Sequence, residues 1–340
     1  MLDKLMLAVL KEKPESGVSI KRVPHPILKE EEVLVKVIYA SICGTDIGIY
    51  DWIPWAAAHI KPPQIIGHEM VGEVIKINSK KKTDIKVGDL VSSETHIFCL
   101  NCYQCEIKNY HICENMKLFG IGRNGGFAEY ATIPLRTTWK NDPRISKEAM
   151  SVQEPLGNAV NVVTKAQVKG KKILVMGLGP TGLCAGMAAK AYGAKEVVGV
   201  NRGEYRRNLA KKIGFDRVVE KIDEKEYGTF DAVLEMSGNK LGIQIALDSV
   251  RIAGKIIAFG IPKEDISIDW GKYLINKELS IESVFGRMIW DTWKDTTALL
   301  TSGKVDLRKI ITHRFKLSEF EKAMKVMKSG ECGKVLLEVS

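Results

Sequence analysis

One hexapeptide limits the architectures open to this chain more than any other stretch: Gly177-Leu178-Gly179-Pro180-Thr181-Gly182. It follows the apolar run KKILVM and opens the small-residue stretch TGLCAGMAAKAYGA, so the glycines stand between a strand and a helix. In that context each glycine has a separate backbone role. The first permits a tight turn, the second lets the main chain approach a pyrophosphate, and the third lets helix and strand pack closely. The free N–H groups at the start of the helix then receive the phosphates. Without the flanking elements the same pattern would be an ordinary glycine-rich turn. Further on, EVVGVNR, EYRRNLAKKIG, FDAVLEMSG, GKIIAFG and LSIESVF continue an alternation of strand-like and helix-like runs. That alternation predicts a doubly wound parallel sheet covered by helices, a Rossmann dinucleotide-binding domain.

The end of the second strand of such a domain selects the nucleotide. A carboxylate there bonds the ribose hydroxyls of NAD and repels a 2′-phosphate. This chain has Asn201 and Arg202 at that place, with Arg206 and Arg207 one turn on. An amide and guanidinium groups accept a phosphate, Arg bidentately, so the expected cofactor is NADP or NAD with NADP favoured.

The first 150 or so residues read differently. MLAVLKEK, VSIKRV, EEVLVKVIYA, MVGEVIKIN, GDLVSS and FAEYATIP are short strand-like runs broken by Pro, Gly, Asn and Asp. Two sets of metal donors fall among them. Cys43 in CGTD and His68-Glu69 in GHE offer a thiolate, an imidazole and a carboxylate, the donor types that zinc accepts in one tetrahedral site with a position left open. Cys99, Cys102, Cys105 and Cys113 offer four thiolates at close spacing, which would close a tetrahedral shell and hold a lobe of about residues 96–116 together. An iron–sulfur cluster or a pair of disulfides would use the same four residues. Two zinc ions per chain are expected.

Composition narrows the partners. The net charge of +10 is spread along 340 residues, with no arginine-rich tail and no basic helix interleaved with aromatics, so no nucleic-acid partner is expected. The longest uncharged run, residues 173–189, carries turn glycines and a proline, so no membrane span is expected either. Seven cysteines, four of them clustered, and an opening segment unlike a secretory signal suit a reducing, cytoplasmic compartment.

Taken together, SICGTD, IYDWIPWAAAHIKPPQIIGHE, ETHIFCLNCYQC, GFAEYA, QEPLGNAV, the glycine turn, LEMSG, GRMIWDTW and IITHRF resemble the zinc-dependent medium-chain dehydrogenases over essentially the whole chain. The resemblance implies a GroES-like β-barrel catalytic domain over residues 1–155, a Rossmann domain over 156–289, a return to the catalytic domain over 290–340, and a homotetramer. It implies Cys43, His68 and Glu69 as ligands of a catalytic zinc, with Glu154 beside that metal, and Thr45 as the first member of a proton relay. His96 and Arg287 resemble positions that surround the substrate. Phe259, Gly260, Ile261, Val284 and Phe285 resemble loops that flank the nicotinamide, although periodicity alone makes them buried strand ends.

The activity implied is oxidation of a secondary alcohol, a small-molecule substrate, with hydride transfer to NAD(P). The motifs are most similar to those of members that oxidise L-threonine to 2-amino-3-oxobutanoate. One position departs from them: Gly48 stands where CGTDxH would place the relay histidine. That departure, with Asn201-Arg202, also suits an NADP-dependent sugar or polyol dehydrogenase. A non-catalytic nucleotide-binding scaffold would be expected to have lost one of the three donors, and all are present.

Overall fold

The structure, a computed structural model, describes residues 5–340. The chain forms two compact units, one from the segment up to Glu154 together with Ile311–Ser340, the other Pro155–Ile310.

The first unit is built on β-strands. β1 (Leu5–Lys11) pairs antiparallel with β2 (Ser19–Pro24), and β3 (Glu32–Ile42) is the spine of a larger sheet. After β3 come helices α1 (Gly44–Asp51) and α2 (Pro54–His59), then β4 (Gln64–Ile65), which pairs with β1. β5 (Glu69–Asn78) lies antiparallel to β3 with Ser41 opposite Glu69, and β6 (Leu90–Ser93) extends the sheet beyond β5. The two-residue strands β7 (His96–Ile97) and β8 (Lys117–Leu118) pair at the base of the cysteine lobe, which holds α3 (Tyr103–Glu106). β9 (Tyr130–Pro134) pairs with β3 and β10 (Thr138–Lys140) with β6. Val33, Val35 and Val37 of β3 are fully buried with Ile42, Ile49 and Phe127 in one core. The short α4 (Lys147–Met150) starts with a Ser146 cap, and α5 (Gln153–Ala166) carries the chain onward.

The second unit holds a six-stranded parallel sheet in the order β13-β12-β11-β14-β15-β16. Its strands are β11 (Lys172–Met176), β12 (Glu196–Val200), β13 (Arg217–Val219), β14 (Phe230–Glu235), β15 (Val250–Ala258) and β16 (Ser280–Ser283). Helices α6 (Pro180–Ala191), α7 (Glu204–Lys212) and α8 (Lys240–Ser249) follow β11, β12 and β14. The strand order runs one way from β11 to β12 and the other way from β11 to β14. A ligand crevice in such a sheet lies beyond the carboxyl ends of the strands at that reversal.

The return to the first unit comes later than position 290. α9 (Asp291–Thr301) stays with the second unit, its Trp293, Thr296 and Leu299 buried at helical spacing. The chain rejoins the first unit at Ile311 through β17 (Ile311–Lys316), α10 (Phe320–Ser329) and β18 (Lys334–Glu338). α10 buries Phe320, Ala323, Met324 and Met327, and its Phe320 ring lies 5.3 Å from that of Phe127. β18 completes the spine by pairing antiparallel with β3, Val335 opposite Ile42.

Candidate active site

Strand register brings the first donor set together. Cys43 follows β3 directly as the N-cap of α1, and Glu69 faces Ser41 across the β3–β5 pair. Gly67 reaches this corner at φ +91°, and a Cβ on it would lie 2.2 Å from the Phe127 ring, so no other residue fits. The ligand atoms of Cys43, His68 and Glu69 all lie within 4.8 Å of one another. Glu154, 8% exposed, does not join that set, but its charge is felt by both His68 and Lys334. Thr45 places its hydroxyl 3.8 Å from the Cys43 sulfur.

The surroundings fit a cation. His68 Nδ1 and Asp46 Oδ1 are buried, without hydrogen-bond partners, and 3.7 Å apart. The other Asp46 oxygen accepts the Cys43 N–H at 2.8 Å. Burial opposes a charged imidazole, but Asp46, then Cys43, then Glu154 outweigh it and push the His68 pKa well up. Burial likewise pushes Asp46 up, against the opposing pull of His68. A histidine that holds its proton among so many acidic groups sits in a field that a divalent ion would satisfy in its place. Since a ligating imidazole must be neutral, metal uptake by metal-free protein should release that proton. The apparent zinc affinity should therefore rise by about tenfold or more per pH unit near neutrality. Competition with a chelator at several pH values measures this, and a flat profile would contradict it.

The second donor set is also assembled. Cys99 Sγ lies 4.0 Å from Cys105 Sγ, and Cys102 Sγ 3.8 Å from Cys113 Sγ. Four sulfurs at ordinary zinc distance from one centre stand about 3.8 Å apart, whereas a disulfide needs about 2.05 Å. None of the seven cysteines, each among the described residues, forms a disulfide. The Cys99 N–H points at Cys113 Sγ and the Asn101 N–H at Cys99 Sγ, at 3.3 and 3.5 Å, as expected for thiolates.

In the second unit the glycine turn has the backbone that a pyrophosphate requires. Gly177 follows β11 at φ +94°, and Gly179 is the N-cap of α6, with Pro180 at the first helical position and Thr181 beside it. A Cβ at Gly182 would lie 2.0 Å from Gly177 O, so the third glycine allows the close packing. A Cβ at Gly179 would meet nothing nearer than Arg206 Nη1 at 4.0 Å, so that position is open and has a guanidinium beside it. Asn201 Oδ1 accepts the Leu178 N–H at 3.2 Å and its Nδ2 donates to Gly203 O at 3.1 Å, so this amide holds the turn. Arg207 is bound to the carbonyls of Asn201 and Arg202 and to Glu220. Arg206 is the guanidinium nearest to Gly179.

Phe259 and Gly260 lie beyond the end of β15 and donate their N–H groups to Glu235 O. Val284 is buried, but Ile261 and Phe285 are 78% and 51% exposed, so periodicity misplaced these two. His96 is buried in the first unit, its Nδ1 2.6 Å from Glu94 Oε1. Arg287 is fully buried in the second unit, where its Nη1 donates to Asn158 Oδ1 at 2.9 Å and its guanidinium lies 6.0 Å from the Trp293 ring centre.

Residues 29–143 match the family described as Alcohol dehydrogenase GroES-like domain, and residues 180–302 match Zinc-binding dehydrogenase. An L-threonine 3-dehydrogenase of Caldanaerobacter subterraneus is 42% identical over 347 residues, covering 99% of both chains. One of Pyrococcus furiosus is 41% identical over 345 residues, 98% of this chain and 99% of the relative. The solved alcohol dehydrogenase of Thermus sp. ATN1 superposes with a TM-score of 0.88 at 28% identity, over 98% of this chain and 100% of that one. The chain belongs to the zinc-dependent medium-chain dehydrogenases. It is an enzyme, and it couples oxidation of a small-molecule alcohol to a nicotinamide nucleotide.

Several groups around the donors of this dehydrogenase were not visible in the sequence. Lys334, at the start of β18 and 1% exposed, meets Glu69 Oε1 at 2.6 Å and Oε2 at 2.5 Å. The Ser41 hydroxyl donates to Glu69 Oε2 as well. A lysine in the run ECGKVLLEV carries no local signal of that partnership. Asp46, three residues after Cys43 in the same CGTD motif, had such a signal: an acidic residue in the first turn of a helix capped by a candidate metal ligand.

Proposed function

We propose that this dehydrogenase oxidises L-threonine at C3 to 2-amino-3-oxobutanoate, with two zinc ions per chain and with NADP favoured over NAD. Its 41–42% identity to L-threonine 3-dehydrogenases across nearly the whole chain carries this reading. Zinc held by Cys43, His68 and Glu69 would polarise the substrate hydroxyl, and the nicotinamide would take the hydride. Around that centre Asp46 steadies the His68 ring, Lys334 and Ser41 hold the Glu69 carboxylate, and Glu154 adds negative charge. His96, fixed by Glu94 in the first unit, is the proposed substrate contact; Arg287, buried against Asn158 and Trp293 in the second, would have to leave those partners to meet a substrate carboxylate. The hydroxyl proton passes first to Thr45, where no imidazole at position 48 waits to take it on. A panel of L-threonine, 2,3-butanediol, glucose and sorbitol with each nucleotide tests the proposal; turnover of a polyol or sugar well above that of threonine would reject it.

Gly48 favours the second reading, an NADP-dependent sugar or polyol dehydrogenase. Gly48→His tests the proton path of the first reading. A Cβ there would lie 2.9 Å from Ile53 Cδ1, the tip of a side chain 41% exposed, so a small swing makes room. If threonine is the substrate, its oxidation near neutral pH should rise by about tenfold on restoring the relay; an unchanged rate would mean that the proton already leaves another way.

The four-sulfur lobe supports a second zinc. Arg202 and Arg206 support NADP, and a large excess in catalytic efficiency with NAD would reject that preference. Exposed Ile268, Trp270, Ile275 and Ile281, the last in edge strand β16, support assembly into a homotetramer. Seven cysteines with no disulfide among them support a cytoplasmic location. Among the described residues no helix is long and apolar enough to cross a membrane.

A further inference from the structure

Three loops leave the carboxyl ends of β11, β14 and β15 and interlock main chain against main chain. A Cβ at Gly177 would lie 2.8 Å from Ser237 Cβ, one at Gly238 would lie 2.4 Å from Ile261 O, and one at Gly260 would lie 2.0 Å from Gly238 N and 2.8 Å from Glu235 Oε2. Hydrogen bonds tie the same loops. Met236 N donates to Met176 O at 2.9 Å, and Phe259 N and Gly260 N donate to Glu235 O at 2.9 and 3.0 Å. The turn through residues 236–238 thus separates the glycine turn from the Phe259–Ile261 loop.

The side chain that shapes this turn is Glu235, 2% exposed. Its Oε1 accepts from Ser237 N at 3.0 Å and from the Ser237 hydroxyl, and its Oε2 accepts from Gly238 N at 3.1 Å. Ser237 Oγ accepts in turn from Asn239 N at 3.1 Å, and Asn239 caps α8 through Gly242 N at 3.2 Å. No basic side chain among the described residues pairs with the carboxylate, so its burial is offset by these donors alone. Burial pushes its pKa up, and the three donors oppose that shift. A buried anion without a counter-ion is a poor source of stability. What it does supply is a fixed turn, because all three donors converge on one rigid acceptor.

The geometry points to Glu235 as a positioning residue for the nicotinamide nucleotide: it holds the 236–238 turn so that the glycine turn on one side and the Phe259–Ile261 loop on the other keep the spacing the ligand needs. The inference rests on the cofactor site proposed above.

Glu235→Gln keeps the shape but turns an N–H group toward donors. On zinc-loaded protein, titration with NADPH and NADH followed by fluorescence should show the dissociation constant rising by at least about tenfold. The nucleotide KM should rise with it, while kcat at saturating nucleotide stays within about twofold and zinc content is unchanged. Ser237→Ala, at an exposed position and retaining the Cβ against Gly177, removes one donor and should raise both constants by about threefold. Should Glu235→Gln fail to fold, Ser237→Ala decides alone. Wild-type nucleotide affinity in either folded variant would overturn the proposal, as would a loss confined to kcat. Failure of the wild-type protein to bind either nucleotide would overturn the cofactor reading and this inference with it.

Discussion

His68→Ala and Cys43→Ser should each lower alcohol oxidation by about 10³-fold or more, since a Lewis-acid metal contributes several kcal/mol and each 1.36 kcal/mol is a decade in rate. Both residues are placed by the β3–β5 register, and neither packs in the large core of the first unit, so the fold should persist. Metal analysis supplies the second half of the test. Each variant should lose one zinc per chain and retain the other, because the Cys99 set is closed and stands apart in sequence and in donor type. Near-normal turnover in either variant, or loss of both zinc ions together, would reject the assignment of Cys43, His68 and Glu69 as the reactive centre. Loss of the imidazole also removes the stronger of the two cations that act on Asp46, leaving Lys334, in a site where burial already raises the Asp46 pKa. Some destabilisation of the metal-free variant should therefore accompany the loss of activity.

Lys334→Met should be the most damaging single change to stability outside the hydrophobic cores. Lys334 and Glu69 are 1% and 0% exposed at their side chains, and the ammonium reaches both carboxylate oxygens. Burial alone would lower the lysine pKa, but Glu69, then Cys43 and Glu154, outweigh it and keep the group charged. Removing one partner of a buried pair leaves the other uncompensated and costs about 3–5 kcal/mol. In zinc-free protein the shift in denaturant midpoint should report that cost, and Lys334→Met/Glu69→Gln should recover most of it. Zinc supplies positive charge to the same cluster, so loaded protein should show a smaller difference. A shift below about 1 kcal/mol in the zinc-free single variant would mean that Glu69 is satisfied by Ser41 and solvent instead.

Local chemistry explains which parts of this molecule could be read in advance. The glycine turn was legible because each glycine answers a backbone demand made within a few residues: φ +94° at Gly177, open space at Gly179, a 2.0 Å approach at Gly182. The cysteine lobe was legible for the same reason, its four sulfurs lying within fifteen residues of chain. Long, periodic strands such as β3 and β5 announced themselves, whereas the three-residue β13 and the two-residue β7 and β8 are too short to show a period. Asn201 shows the limit of position-based reading. It stands where a nucleotide contact was expected, yet its side chain is used to join Leu178 to Gly203, so the proposed phosphate contacts are Arg202 and Arg206 instead. Ile261 and Phe285 look like buried strand ends in the sequence but are exposed, because they lie past the last paired residues of β15 and β16.

The amino-acid order by itself determined the classes of structure and chemistry: a β-rich unit with two donor sets, a doubly wound nucleotide domain, and zinc with a nicotinamide cofactor. Those conclusions depend on spacings of a few residues, and short-range geometry is nearly independent of the rest of the chain. Only the tertiary structure decided which distant groups complete the sites. Lys334 meets Glu69 across 265 positions because β18 returns to pair with β3. α9 stays with the second unit because its buried face is completed there. Glu235 acts on Gly177 and Gly260 only because three loops converge at one end of a parallel sheet. Partnerships of this kind are set by strand order and packing, which no short window of sequence encodes.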